Sequence, residues 1–251
     1  TSSNIHHLPV VNDNNQPVGM ITATDLIRQQ RSDPVFLISA IRKATSKKQL
    51  IEEAAKLPDY LQTFASRVKQ TSVLGRLMAS VTDGMTRQLI KLYEQDHGAA
   101  PAAYSWLAFG SQGREDQTLS SDQDNGLLLS NGLSKSQREW FAGLGEYVCE
   151  GLCECGIPLC PGNMMASNPE CRGTIDEWKE KFNGWITSPT PKALMYCQIF
   201  FDSRPVMGEG RFYQTYREEI AKLANNDMFL GNLAILVNKI QVPLGLFNRL
   251  R

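Results

Sequence analysis

The sequence has no excess of charge of either sign: 26 Lys and Arg stand against 26 Asp and Glu in 251 residues. No run of basic residues is longer than Lys47-Lys48. Holding a phosphate backbone or an anionic membrane ordinarily draws on a basic excess, so neither nucleic acid nor membrane is an expected partner. Long apolar runs are missing too. The most apolar late stretch, Phe229 to Val237, is interrupted by Asn232 and falls far short of the roughly 20 residues a membrane span needs. It reads as a buried helix. Thr1 to His7 is polar and no apolar segment with a small-residue cleavage site follows, so no secretory leader is read. The opening Thr, in place of Met, is expected of a piece cut from a longer protein.

Paired Cys-x-x-Cys motifs are also lacking. The six cysteines are Cys149, Cys153, Cys155, Cys160, Cys171 and Cys197, and their spacings do not make a zinc ribbon. Cys149 and Cys153, four apart on an expected helix, have a spacing that could hold a metal. The plainer expectation is reduced, mostly buried thiols of a cytoplasmic protein. What remains is ordinary globular composition, 42% hydrophobic and 21% charged, which excludes a disordered or fibrous chain. The length suits one large or two small domains.

Along the chain, His7 to Val11 and Pro17 to Thr22 read as short strands around the turn cluster Asn12-Asp13-Asn14-Asn15, and Thr24 to Arg28 opens a helix. This segment resembles the closing half of a CBS repeat, over about residues 5 to 30. The resemblance implies that Thr22 and Asp25 contact the ribose and phosphates of an adenine nucleotide. The bland expectation is that they end a strand and cap a helix.

From Asp33 to His97 the pattern is helical. Asp33 before Pro34 is a good cap, Ser46 to Gln49 reads as a capping box, Pro58 breaks a helix and Asp59 can cap the next. Val73, Leu74, Leu77, Met78, Val81, Met85, Leu89 and Leu92 form a helical stripe, expected to be core and to carry no chemistry. After the small-residue linker Gly98 to Ala103, Tyr104 to Phe109 and Asn125 to Leu129 read as adjacent strands, with Ile157 to Cys160 as a third. Ser134 to Gln137 is a second capping box, opening a helix that Gly156 ends. Further helices are expected at about 174–182, 191–202, 211–224 and 230–240. Strands set among helices make an α+β unit.

The chemistry lies in Phe109 to Leu129, FGSQGREDQTLSSDQDNGLLL. Gly110-Ser111 makes a tight turn after a strand, and Asp122-Gln123-Asp124 sits at the mouth of the next. Alternation puts Asp122 and Asp124 on one side and Gln123 on the other. Adjacent carboxylates repel unless a cation lies between them or one is protonated. Two of them, together with substrate phosphates and waters, suit Mg²⁺. Gly110 lets backbone approach a phosphate, and Ser111 offers it a hydroxyl and an N–H. Taken alone, the Ser-Asp-Gln-Asp run is also an ordinary acidic turn. Arg114-Glu115-Asp116 is equally well a solvated charge run.

The pattern hG[GS]…Dx[DE], met here by Gly110-Ser111 and Asp122/Asp124, resembles the signature of the DNA polymerase β nucleotidyltransferase superfamily. The longer G-S-x-G-R-E-x-Q-x-x-x-S-D-Q-D-N string is similar to nucleotidyltransferases related to the protein-PII uridylyltransferase N-terminal region. That group commonly carries CBS repeats. Trp185-Ile186 and the string Phe200 to Gly208 also look like it.

The resemblance implies a polymerase β-like sheet flanked by helices. Its parts would be a CBS remnant at 1–31, a helical segment at 32–98, a transferase core at 99–208 and the start of a helical region at 209–251. It implies Mg²⁺, one ion or two, held by Asp122 and Asp124, and a nucleoside triphosphate as substrate. Gly110, Ser111 and Arg114 would bind the phosphates. A nucleotidyl group would pass to a protein or small-molecule hydroxyl in a signalling role. CBS repeats in a full-length protein would offer a route to dimers. The superfamily's third carboxylate has no counterpart in Ile157 to Cys160, which leaves Asp202 as a substitute that could equally pair with Arg204. Gln123 and Asn125 stand where most of the superfamily has apolar residues. The alternative function is an inert module relaying adenine-nucleotide occupancy from CBS repeats to a partner.

Overall fold

The computed structural model describes residues 7–22, 34–68 and 70–238. Strands β1 (His7–Val11) and β2 (Pro17–Thr22) pair as an antiparallel hairpin. Asn12 closes the turn, its Oδ1 accepting from the backbone N–H of Asn14 and Gln16, while Asn15 takes a left-handed φ of 61°. Asp25 and the cap expected at Asp33 lie outside the described residues.

Helices α1 (Pro34–Lys43), α2 (Lys47–Ala54), α3 (Leu57–Ala65) and α4 (Thr71–His97) follow. Ser46 caps α2 through the Gln49 N–H, and the Gln49 side chain turns back onto Thr45 rather than Ser46, so the box closes one residue early. Pro58 stands in the first turn of α3, as its missing N–H favours. The expectation for Asp59 needs correction: it lies inside that first turn and caps nothing, because Lys56 occupies the cap position. The carboxylate still sits favourably near the helix N-terminus. From Met78 to Tyr93, α4 is buried almost all round, which makes it the central helix of the molecule.

Next come β3 (Tyr104–Ala108), the single-turn α5 (Gly110–Gly113), β4 (Asn125–Leu129) and α6 (Lys135–Glu154). Ser134 and Gln137 form the complete capping box of α6, and Gly156 leaves it at φ 93°. The chain continues through β5 (Arg172–Thr174), α7 (Ile175–Thr187), α8 (Pro191–Phe201), β6 (Arg204–Gly208), α9 (Gly210–Ala224) and α10 (Asp227–Asn238).

The four-stranded sheet has the order β5-β4-β3-β6, with β3 antiparallel to both neighbours and β5 parallel to β4. It is a mixed sheet flanked by helices. The expected third strand at Ile157 to Cys160 is not one: that segment has no regular structure, and the Gln123 N–H donates to the Pro158 carbonyl without a strand ladder forming. β5 and β6 complete the sheet instead.

Alternation divides the core into two. Tyr104, Trp106, Ala108, Leu127 and Leu129 join α4 and α6 on one face, whereas Leu107, Phe109 and Leu128 join Trp178, Phe182, Phe200 and Tyr216 on the other. Because both faces are covered, every residue of β3 and β4 is buried.

Candidate functional site

The site forms where β3 ends. One step beyond the Ala108–Asn125 pair, the Phe109 N–H donates to the Asp124 carbonyl at 2.9 Å, so the ladder carries Asp124 up against the start of α5. Gly110 has φ 51°, and a Cβ built there would overlap the Asp124 carboxylate at Oδ2. Only glycine both adopts that backbone and leaves room for the acid.

Residues 122–125 alternate. Gln123 and Asn125 are buried at 1% exposure, while Asp122 and Asp124 are half-buried and turned the other way. The two inward amides explain why polar residues stand at these positions. Gln123 Nε2 donates to the carbonyls of Cys149 and Ile157, each at 2.9 Å, and Asn125 Oδ1 accepts from the Ala166 N–H at 2.8 Å. They tie the mouth of β4 to the end of α6 and to the segment after it.

Burial raises the pKa of Asp124 above its ordinary value, and the neighbouring charge of Asp122 raises it further. A hydrogen bond from Cys160 and the charge of Arg114 act in the opposite sense. Among the described residues no basic side chain comes within ion-pair distance of Asp122 or Asp124. Like charges held together without a counter-ion in a half-buried place are what a divalent cation would relieve.

Arg114 caps the C-terminal end of α5. Its Nε donates to Asp116 Oδ2 and its Nη1 to Asp202 Oδ2, both at 3.1 Å. The expected partner of Asp202 is thus corrected: Asp202 holds Arg114, and Arg204 is engaged elsewhere. Among the described residues there is no group of three or more His, Cys, Asp or Glu side chains arranged to hold a metal, so Asp202 does not join the pair in such a cluster. Ser111 lies beside Gly110 on the single turn of α5, half-buried, and its carbonyl accepts from the Asp116 N–H at 2.9 Å. Thr22 ends β2. Cys149 and Cys153 do not make a metal pair: Cys149 is buried with its thiol toward Asn125, and Cys153 is exposed.

Sequence reasoning missed the support beneath this site. Asp83 on α4 is buried and receives Arg204 in a fork, Nη1 at 2.7 Å and Nη2 at 3.0 Å. Gln112 Nε2 donates to the same carboxylate at 2.9 Å, and Arg204 Nη2 also reaches the Gln112 carbonyl at 3.1 Å. The helix read as plain core therefore fixes both α5 and the residue next but one to Asp202. The one signal was an acid and a glycine, Asp83-Gly84, inside an otherwise apolar stripe.

A family model described as "Putative nucleotidyltransferase DUF294" matches residues 55–192, more than half of the chain. A CBS domain model matches residues 1–32. No curated protein matches the chain.

Proposed function

This chain belongs to the DUF294 nucleotidyltransferase family, and from that premise we propose that it transfers a nucleoside monophosphate from a nucleoside triphosphate to a hydroxyl acceptor, with Mg²⁺. The acceptor is a protein or a small molecule, the sheet is of the polymerase β type, and the role is signalling in the cytoplasm, in the manner of the protein-PII uridylyltransferase. The observation that carries this reading is the contact of Asp124 with Gly110, which sets a half-buried acidic pair directly against a phosphate-type turn.

Mg²⁺ needs only one or two carboxylates when waters and substrate phosphates complete its shell, so the donor set fits. Asp122 and Asp124 would hold it. When bound it neutralises phosphate charge and polarises the reacting phosphoryl group. The protein supplies position. Gly110 admits the triphosphate close to the backbone, Ser111 donates its N–H and hydroxyl, and Arg114, steadied by Asp116 and Asp202, presents its guanidinium to the phosphate oxygens. The acceptor oxygen forms a bond to the α-phosphorus as the bond to pyrophosphate breaks, and its proton leaves to solvent.

One observation favours the inert relay instead. Arg114 already has two carboxylate partners, which a phosphate must displace or share. Melting temperatures with and without Mg²⁺ and each of ATP, UTP, CTP and GTP decide between the two. The transfer reading expects stabilisation only when metal and triphosphate are both present, about 2.7 kcal/mol at a hundredfold excess over Kd, and none in the Asp122→Asn/Asp124→Asn protein. A double variant that responds as strongly as wild type places the site elsewhere. Silence in both proteins favours the relay.

A further inference from the structure

After α6 the chain returns to the mouth of β4 and is held there at two points. The Gln123 N–H donates to the Pro158 carbonyl at 2.9 Å, and the Asn125 N–H to the Met164 carbonyl at 3.0 Å. Side chains repeat both anchors: Gln123 Nε2 donates to the Ile157 carbonyl at 2.9 Å, and the Ala166 N–H to Asn125 Oδ1 at 2.8 Å. Asp124 lies between the two anchoring residues, so the stretch from Pro158 to Met164 has to pass it. Cys160 is in that stretch, half-buried.

The stretch is folded as a turn. The Asn163 N–H donates to the Cys160 carbonyl at 2.9 Å, Asn163 takes a left-handed φ of 56°, and the Cys160 N–H reaches Met165 Sδ at 3.3 Å. This curls the backbone around the sulfur. The N–H groups of Met164 and Gly162 both donate to Cys160 Sγ, and a Cβ added at Gly162 would lie 3.6 Å from it.

A thiol has one proton to give. With two N–H groups on the sulfur, that proton goes to the Asp124 carboxylate. An ordinary thiol is protonated at neutral pH, and here burial first, then the charges of Asp124 and Asp122, favour that form further against the two N–H groups. Asp124 is therefore held from two sides, by Cys160 and by the backbone of Gly110 against its Oδ2. A carboxylate already held loses less freedom on taking a cation than one that swings. The thiol occupies one of its several lone-pair positions and leaves the others open.

We propose that Cys160 is a positioning residue: its thiol donates to Asp124 and keeps that carboxylate in place, so that the turn after Pro158 sets how tightly the acidic pair takes a divalent cation. The cation rests on the transfer reading above; the hydrogen bond does not.

Two measurements on the 251-residue chain test this, and the first needs no ligand. The S–H stretch of Cys160, isolated by infrared as the difference between wild type and Cys160→Ala, should lie below that of a free thiol and move up in Asp124→Ala. Melting curves check that each variant folds, and Cys160→Ser supplies the difference spectrum if Cys160→Ala does not. A band at the free-thiol position, or one that Asp124→Ala leaves unmoved, overturns the proposal.

The second is calorimetric affinity for Mg²⁺ with ATP, UTP, CTP or GTP. Cys160→Ala should weaken it about tenfold, as expected when the hydrogen bond behind a metal-holding carboxylate is removed. Cys160→Ser keeps a donor and should restore most of the lost affinity, whereas Cys160→Val keeps bulk without a donor and should not. Wild-type affinity in Cys160→Ala, or Cys160→Ser as weak as Cys160→Val, overturns the proposal. If wild type itself binds no Mg²⁺–triphosphate, the transfer reading fails, and the infrared result alone decides whether Cys160 holds Asp124.

Discussion

Two acidic centres lie on either side of α5, and they are built in opposite ways. Asp83 is buried with its charge answered: Arg204 forks onto it, Arg87 reaches it at 3.3 Å, and Gln112 adds a third donor. Asp122 and Asp124 are more open: Asp124 takes one hydrogen bond from Cys160 and feels the like charge of Asp122, and neither has a cation in ion-pair distance among the described residues. A carboxylate satisfied by the chain holds the fold together. A carboxylate pair that the chain leaves without a counter-ion in contact is a place for something the chain does not contain.

Removing the support should produce the largest effect. Asp83→Ala strands the half-buried Arg204 guanidinium and releases Gln112 from α4, so urea denaturation should report a loss of about 3 kcal/mol, the low end of what breaking a buried pair costs. A loss under about 1 kcal/mol would mean that Asp83 is no more than a surface charge in energetic terms. Gly110→Ala comes next. It imposes a Cβ on a left-handed backbone where the Asp124 carboxylate already lies, at a cost of about 1–3 kcal/mol. It should also lower Mg²⁺–triphosphate affinity, because Asp124 must move. If stability falls but affinity is unchanged, the contact is packing alone.

What the sequence disclosed follows the range of the interactions. The cap at Ser134, the β3–β4 pair and the alternation of Asp122, Gln123 and Asp124 are local, written within a few residues of one another. The sheet edges are not. β5 is three residues long and β6 contains Pro205 and Gly208, so neither has a strand pattern of its own, and both exist by pairing with a buried partner. Ile157 to Cys160 has the apolar look of a strand, yet Ile157 and Pro158 give their carbonyls to Gln123 instead. The Asp83–Arg204 fork joins residues 121 apart, and the exchange of partners between Arg114, Asp202 and Arg204 follows from it. With Arg204 drawn inward to Asp83, Asp202 is left for Arg114.

The smallest expected effect is the one that most directly probes the open pair. The folded chain holds the Asp124 proton more tightly than an ordinary carboxylate does, chiefly through burial and then through the charge of Asp122. Below the unfolded pKa the group is protonated in both states and costs nothing. As pH rises from the ordinary aspartate value through the raised folded value, the unfolded chain ionises first, and native stability is lost across that window. Asp124→Asn never ionises. It should therefore gain on wild type over the same window and keep a constant advantage at higher pH, seen as a difference in melting temperature between about pH 4 and 7. The gain should be small, since solvent reaches a half-buried carboxylate and screens it. Saturating Mg²⁺ and triphosphate should reverse the order of the two proteins at neutral pH, because the cation restores to wild type what the like charges cost it. A variant less stable than wild type at neutral pH without any ligand would mean that the chain itself already satisfies Asp124, and the contrast with Asp83 would collapse.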